Sequence, residues 1–191
     1  MSRFFGNVAH VAMVVPDVDA TVDRLLATGV GPAYYMRRLP LSCRNRGARH
    51  DIVITVAFGY SGSFQYEILQ QHGDTPSAFT EYLSKKPEGG WHHMAYYCDD
   101  FDATLKNAER QGGKFRIVQE FLGQDGKPFE IYLEPLNAPD PMLIQLMLPG
   151  PFKVAFERME KETYKWDGSR PKRETVELLD PEVREFVKVQ M

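Results

Sequence analysis

The sequence predicts an α+β fold in which two tandem βαβββ modules form a curved sheet around a central cleft. Three observations lead to this prediction. The segment 10–29 recurs as 93–112 at a constant offset and without a gap. Each copy passes from a strand-like pattern to a helix-like pattern, and three more strand-like runs follow each copy. Residues 149–191 lie outside this repeat and are predicted to form a helical C-terminal extension.

Identical residue pairs are spread over the whole length of the repeat. The identical pairs are His10 and His93, Ala12 and Ala95, Asp17 and Asp100, Asp19 and Asp102, Ala20 and Ala103, Thr21 and Thr104, and Gly29 and Gly112. Chance similarity between two amphipathic segments is the alternative. A match of this density without a gap favours a duplicated module instead.

Each copy begins with the signals of a strand followed by a helix. Runs of apolar, β-branched or aromatic residues predict strands at Val8–Val15 and Trp91–Cys98. An aspartate then stands where a helix N-cap is expected, Asp17 in one copy and Asp100 in the other. Apolar residues follow at helical spacing, and a glycine ends each helix as a left-handed C-cap requires.

Further strand-like runs complete the two modules. They lie at Ala33–Leu39, Asp51–Phe58 and Phe64–Gln70 in the first, and at Phe115–Phe121, Phe129–Glu134 and Met142–Met147 in the second. A short helix is predicted near Ser77–Lys85. We place module one at about 6–72 and module two at about 90–148, within a domain of residues 1–148. The extension has helix-like stretches at 152–164 and 182–189, and we expect it to pack on the domain or on a partner subunit.

Composition excludes several classes of protein. The chain has 191 residues, 43% of them hydrophobic and 26% charged, which is typical of a globular domain. Its formal net charge of -3 gives no reason to expect nucleic acid as a partner, and no apolar run is long enough to span a membrane. Two cysteines make no disulfide framework, and the N-terminus has no signal-peptide pattern. We therefore expect a cytoplasmic protein.

Four polar residues stand at matched places in the two modules and are candidate metal ligands. His10 and His93 begin equivalent strands, while Glu67 and Gln145 lie among apolar residues in the last strand of each module. An unpaired carboxylate or amide is costly in such surroundings. Two imidazoles, a carboxylate and an amide oxygen are a typical shell for a divalent metal ion.

Each of these residues also has an ordinary structural interpretation. A single strand histidine is more often a hydrogen-bonded core residue than a ligand, and Glu67 alone could lie on the surface. Either histidine of the pair His92 and His93 could face inward, but only His93 aligns with His10. The matched placement of all four residues in a duplicated module favours the metal site.

The sequence resembles the vicinal-oxygen-chelate superfamily over about residues 6–148, as judged from the repeat. This superfamily includes glyoxalases, methylmalonyl-CoA epimerases, fosfomycin-resistance proteins, bleomycin-binding proteins and extradiol dioxygenases. The resemblance is carried by segments 9–17 (AHVAMVVPD), 65–69 (QYEIL) and 90–100 (GWHHMAYYCDD). The last of these is most similar to methylmalonyl-CoA epimerases and glyoxalase-like proteins.

The resemblance implies a metal-dependent lyase or isomerase that enolises a small oxygenated substrate, such as an acyl-CoA thioester. It implies one divalent metal ion (Zn, Co, Mn, Ni or Fe) at the strand positions of His10, Glu67, His93 and Gln145, and a homodimer. A metal ion would act as a Lewis acid on the oxygen that becomes negative when a proton leaves the neighbouring carbon. Glu67 and Gln145 are accordingly the predicted catalytic residues.

Gln145 departs from the pattern of the resembling enzymes, which usually have glutamate at this position. An amide cannot accept a proton, so the candidate base is Glu67, and Asp51 or His50 is a candidate second base. Two alternatives stay open. One is an extradiol-type dioxygenase, with Glu67 completing a two-histidine, one-carboxylate site. The other is a metal-free protein that binds small molecules, of the resistance type.

Three residues are candidates for substrate binding. Arg37 and Arg49 belong to a basic stretch that would suit a phosphate or carboxylate group of the substrate. Tyr96 lies on a strand where alternate side chains could line the cleft. A solvated charged loop and a packed aromatic core are the alternative interpretations.

Overall fold

The structure is a computed structural model that describes residues 1–150, 152–181 and 183–184. The strands are β1 (His10–Val14), β2 (Ala33–Asn45), β3 (Ala48–Ser61), β4 (Phe64–His72), β5 (Gly90–Tyr97), β6 (Phe115–Leu122), β7 (Pro128–Pro135), β8 (Leu143–Met147) and β9 (Lys172–Glu174). The helices are α1 (Val18–Ala27), α2 (Ala78–Lys85), α3 (Phe101–Arg110) and α4 (Phe152–Thr163). A 3₁₀ turn covers Thr175–Leu178. The order of elements is the predicted repeat of βαβββ.

The helix ends form where the sequence predicts them. The side chain of Asp17 accepts a hydrogen bond from the backbone N–H of Ala20 at 2.9 Å, and Asp100 caps α3 in the same way. Gly29 and Gly112 follow the two helices with φ of 83° and 89°, a conformation that costs glycine little. The capping signals in both copies are therefore confirmed.

The sheet closes on itself. Its strand order is β3-β4-β1-β5-β8-β7-β6-β2-β9, and β2 also pairs with β3, so the first eight strands form a ring. The modules meet along two antiparallel seams, β1 with β5 and the end of β2 with β6. One seam joins the two strands that carry the matched histidines.

The two faces of this ring have different partners. The outer face is covered by α1, through Val18 and Val22, and by α3, through Phe101 and Leu105. The inner face holds a cluster of strand residues that includes Val14, Tyr34, Phe58, Leu69 and Tyr132. Because side chains alternate along a strand, each strand contributes to both cores.

The C-terminal extension packs against the inner face. Ala155 and Met159 of α4 are completely buried in the inner cluster, and the rings of Phe156 and Phe58 lie 4.8 Å apart. The hydroxyl of Tyr34 donates to Glu162 at 2.7 Å. α4 agrees with the helix expected at 152–164, whereas the second predicted stretch, 182–189, lies almost entirely outside the described residues. Among the residues that the structure describes, no helix is both long and apolar enough to cross a membrane.

Candidate metal centre

Four polar side chains meet on the inner face of the ring, at the seam between the modules. They are His10 in β1, Glu67 in β4, His93 in β5 and Gln145 in β8. Their strands are adjacent in the order β4, β1, β5, β8. Ala12 pairs in register with Glu67 and His93, and Ala95 pairs with His10 and Gln145. Paired residues share a face, and the two small alanines leave room between the larger side chains.

The donor atoms of this cluster converge on one point. Nε2 of His10 lies 3.4 Å from Oε2 of Glu67, and Nε2 of His93 lies 3.2 Å from the same oxygen. One donor atom from each of the three residues falls within 4.8 Å of the others. Ligands about 2.0–2.1 Å from a tetrahedral ion stand roughly 3.3 Å apart, so these separations suit a metal shell.

The cluster is buried but its polar atoms are not satisfied. The side chains of His10, Glu67, His93 and Gln145 belong to residues that are 3%, 7%, 0% and 2% exposed. Within the described part of the chain, Nε2 of both histidines, Oε2 of Glu67 and Oε1 of Gln145 have no hydrogen-bond partner. Buried polar atoms normally have hydrogen-bond partners. These four unpaired atoms on one face of the sheet therefore suit the binding of a divalent cation.

His92 fixes the tautomer of His93. Pairing between β1 and β5 shifts at this point, because Ala12 pairs with His93 and the next residue pairs with Trp91, which leaves His92 as a bulge. Nδ1 of His92 lies 2.9 Å from Nδ1 of His93, and its Nε2 lies 3.4 Å from the carbonyl oxygen of Ala78. A carbonyl only accepts, so Nε2 of His92 carries the proton and Nδ1 of His93 donates to His92. Nε2 of His93 is then free to bind metal.

The pKa shifts agree with these assignments. Burial and the neighbouring His93 lower the pKa of His92 to about 3, and burial lowers the pKa of His93 against the opposing effect of Glu67. Burial alone would raise the pKa of Glu67, but the imidazoles of His10 and His93 outweigh it and hold this pKa below its ordinary value. At neutral pH the histidine pair is uncharged and Glu67 is ionised, as metal binding requires.

Gln145 is oriented by two residues of β7. Its Nε2 donates to Oε2 of Glu130 at 2.8 Å and to the hydroxyl of Tyr132 at 3.0 Å. Tyr132 is Gln145's register partner across the β7–β8 pair. Oε1 of Gln145 is thereby left without a partner among the described residues and faces His93.

Glu130 and Tyr132 are site residues that the sequence did not reveal. Burial and the charge of Glu67 raise the pKa of Glu130 to about 8, against the hydrogen bond from Gln145. The signal available in the sequence was weak. Glu130 and Tyr132 lie two residues apart in a strand-like run, so they share a face, but nothing in the run says which face is inner.

The predicted substrate-binding residues lie away from the cluster. Arg37 stacks 3.9 Å over the ring of Tyr35 and pairs with Asp19 of α1, on the outer face. Tyr96 packs among outer-face residues such as Phe5, and it points opposite to His93 because the two are an odd number of residues apart in β5. Arg49 is exposed beside the β2–β3 turn.

The candidate second bases lie in that same β2–β3 hairpin. Asp51 is exposed, and its carboxylate accepts a hydrogen bond from the hydroxyl of Ser42 at 2.5 Å. His50 is partly exposed and pairs in register with Cys43. Neither residue belongs to the buried cluster, which agrees with the interpretation of both as solvated residues.

An α+β sheet of two βαβββ modules that curves around an inner face, with the candidate ligands on that face, agrees with the fold that the resemblance implies. The sequence profile of the Glyoxalase/Bleomycin resistance protein/Dioxygenase superfamily matches residues 8–129, and the chain belongs to this superfamily. The predicted family is therefore confirmed.

Its relatives include epimerases. Ethylmalonyl-CoA/methylmalonyl-CoA epimerase of Cereibacter sphaeroides is 28% identical over 131 residues, which make up 68% of this chain and 89% of that protein. The mitochondrial methylmalonyl-CoA epimerase of Homo sapiens is 28% identical over 133 residues, 68% of this chain and 67% of that protein. The crystal structure of methylmalonyl-CoA epimerase from Mycobacterium tuberculosis aligns with a TM-score of 0.53 at 17% identity, covering 81% of this chain and 95% of that one. This likeness confirms the predicted fold class.

Proposed function

We propose that the protein is a metal-dependent isomerase that removes and returns a proton on the carbon next to the carbonyl of a small acyl-CoA thioester. The observation that carries the proposal is a set of buried polar atoms without partners among the described residues, from His10, Glu67, His93 and Gln145. Donor atoms of the first three residues lie within 4.8 Å of one another. The similarity to epimerases that are named for CoA substrates supports the class of substrate.

The side chains divide the work between binding and proton transfer. His10, His93 and Gln145 would hold a divalent ion as neutral donors, and Glu67 would hold it as the single anionic donor. The ion, when bound, supplies a Lewis acid for the substrate carbonyl oxygen. Glu67 directs Oε2 at the two imidazoles, and we assign its second oxygen as the acceptor of the proton on one face of the substrate. Water would return a proton to the opposite face, as inversion requires. The low pKa of Glu67 keeps it ionised at neutral pH, which is the state that a proton acceptor needs.

The test is proton exchange in heavy water. Protein loaded with Co²⁺ or Mn²⁺ is incubated with methylmalonyl-CoA, and deuterium at the second carbon is followed by mass spectrometry against a protein-free blank. We expect one deuteron per substrate, and we expect Glu67→Gln to lose exchange at saturating metal while still binding the ion. Glu134→Gln, a partly exposed carboxylate paired with Arg116, is the matched control and should exchange like the wild type. Metal-loaded protein that exchanges no thioester would refute the proposal.

A second candidate is an extradiol-type dioxygenase. His10, His93 and Glu67 form the two-histidine, one-carboxylate set that binds Fe²⁺ in oxygenases. Oxygen uptake by the Fe²⁺-loaded protein with a catechol would support this activity, and its absence would remove it. Failure to bind any divalent ion would leave the metal-free binding protein as the better description.

We also propose a homodimer, on the basis of the family resemblance. Light scattering coupled to size-exclusion chromatography measures this directly. A mass equal to one chain would overturn it.

A further inference from the structure

A glutamine can serve as a metal ligand in only one of two orientations of its amide. Oε1 carries lone pairs and binds cations, whereas Nε2 carries two hydrogens and does not. The two ends have nearly the same shape, so packing alone does not choose between them. A site that uses Gln145 needs other groups that tell the ends apart.

Two residues of β7 hydrogen-bond to the amide and bear on this choice. Glu130 and Tyr132 both approach Nε2 of Gln145, at 2.8 and 3.0 Å. The carboxyl of Glu130 has an oxygen that accepts a hydrogen bond in either protonation state. A reversed amide would place Oε1 against the carboxyl of Glu130, which cannot donate when it is ionised, so this hydrogen bond would be lost. The hydroxyl of Tyr132 can accept from Nε2 or donate to Oε1. Glu130 therefore favours the orientation with Oε1 toward the cluster, and Tyr132 holds the amide in place.

The consequence is visible at the other end of the amide. Oε1 of Gln145 is buried and has no hydrogen-bond donor among the described residues. Both hydrogens of Nε2 are used on β7, so the free oxygen is the only part of the amide presented to the histidines. Supporting hydrogen bonds of this kind usually set how well a ligand binds its metal.

We propose that Glu130 and Tyr132 are positioning residues that hold Oε1 of Gln145 toward a metal ion. The proposal rests on the proposed function, because it requires the ion. Each residue acts through Gln145 and neither is a ligand. The neutral oxygen that they present takes the place of a second carboxylate at this position in the last strand of module two.

The test is Co²⁺ binding, measured by calorimetry and by the visible absorption of the bound ion. We expect Tyr132→Phe and Glu130→Ala each to weaken binding by about 10–100-fold and to alter the absorption band, because the amide loses a hydrogen bond that holds it in place. Glu130→Gln keeps a hydrogen-bond acceptor without the charge. Its affinity for Co²⁺ should stay within about threefold of the wild type and should be well above that of Glu130→Ala. Glu134→Ala, which removes a carboxylate from the same strand, should bind like the wild type.

A double-mutant cycle with Gln145→Ala distinguishes positioning from a general effect on the site. In that background Glu130→Ala and Tyr132→Phe should have no further effect on affinity. An undiminished effect there would overturn the proposal, and so would a Glu130→Gln variant as weak as Glu130→Ala, since charge would then be the cause. Tyr132→Phe changes only one hydroxyl, so it stays informative if Glu130→Ala does not fold. If the wild type binds no Co²⁺, the proposed function fails as well. If the wild type binds Co²⁺ but the variants show no coupling to Gln145, only the positioning role is overturned.

Discussion

The two modules contribute different charges to the candidate ligands. The anionic candidate is Glu67 in module one, and the matched place in module two holds the neutral Gln145. Glu130 lies 2.8 Å from the amide of Gln145, so this part of the site already has a carboxyl group of its own. A second carboxylate at position 145 would face it directly.

This arrangement predicts the effect of Gln145→Glu on the metal-free protein. The change replaces a hydrogen bond with two carboxyl groups in contact, one of which must stay protonated. We expect the free energy of unfolding at pH 7 to fall by about 1–3 kcal/mol, since keeping a buried carboxyl protonated above its ordinary pKa costs about 1.4 kcal/mol for each pH unit. Urea denaturation in the presence of a chelator measures it.

The reciprocal variant is the control for this prediction. Gln145→Glu combined with Glu130→Gln restores one amide and one carboxyl, and should recover most of the lost stability. Equal stability of the single and double variants would show that the contact between positions 130 and 145 does not determine the cost. If the two positions did not interact, the changes in the free energy of unfolding caused by the two substitutions would simply add.

At this scale the sequence predicts the ligands better than their supporting residues. His10 and His93 could be found because the repeat aligns them, and Glu67 and Gln145 because each is a polar residue among apolar ones in the last strand of its module. Glu130 could not, because the segments after the two helices differ in length and the constant offset ends at Gly112. A carboxylate in a strand ordinarily marks the solvent face, and only the closed sheet shows that this one points inward.

At the scale of elements, α4 packs over the inner face beside the cluster. Phe58 is in contact with two rings, with centroids 6.3 Å from His10 and 4.8 Å from Phe156 of α4. The helix therefore covers the inner face close to the ligands. The sequence predicted a helix here, but a helical pattern does not identify the surface on which the helix packs.

We therefore expect Phe156→Ala to speed the loss of metal to a chelator. Removing a partly buried ring weakens the closed position of α4, and about 1.4 kcal/mol of weakening corresponds to a tenfold faster rate. Stopped-flow mixing of the Co²⁺-loaded protein with excess EDTA measures the rate. Val154 lies on the same helix and is 41% exposed, so Val154→Ala should leave the rate of metal loss unchanged. Equal rates for all three proteins would mean that α4 does not limit access.

At the scale of the whole molecule, the closure of the ring was not predictable. The sequence predicted a strand ending at Leu39, but β2 continues to Asn45 and joins both modules. Arg38 has a φ of 51° and the pairing shifts between Met36 and Leu39, so the strand pattern is interrupted where the backbone bulges. Pro40 then argues against a strand, although it is accommodated here within β2.

A metal ion at the seam would join the two modules, because His10 and Glu67 belong to one and His93 and Gln145 to the other. Ligand that binds only the folded state stabilises it by about 2.7 kcal/mol at a hundred times its dissociation constant. For a chain of this size that corresponds to roughly 5–11 °C in the melting temperature. We expect calorimetry to show this rise on addition of Co²⁺, its reversal by EDTA, and no rise in His93→Ala. Because the candidate ligands come from both modules, we expect a single unfolding transition that shifts as a whole to higher temperature. A second transition whose temperature does not change with metal would show that the modules unfold independently.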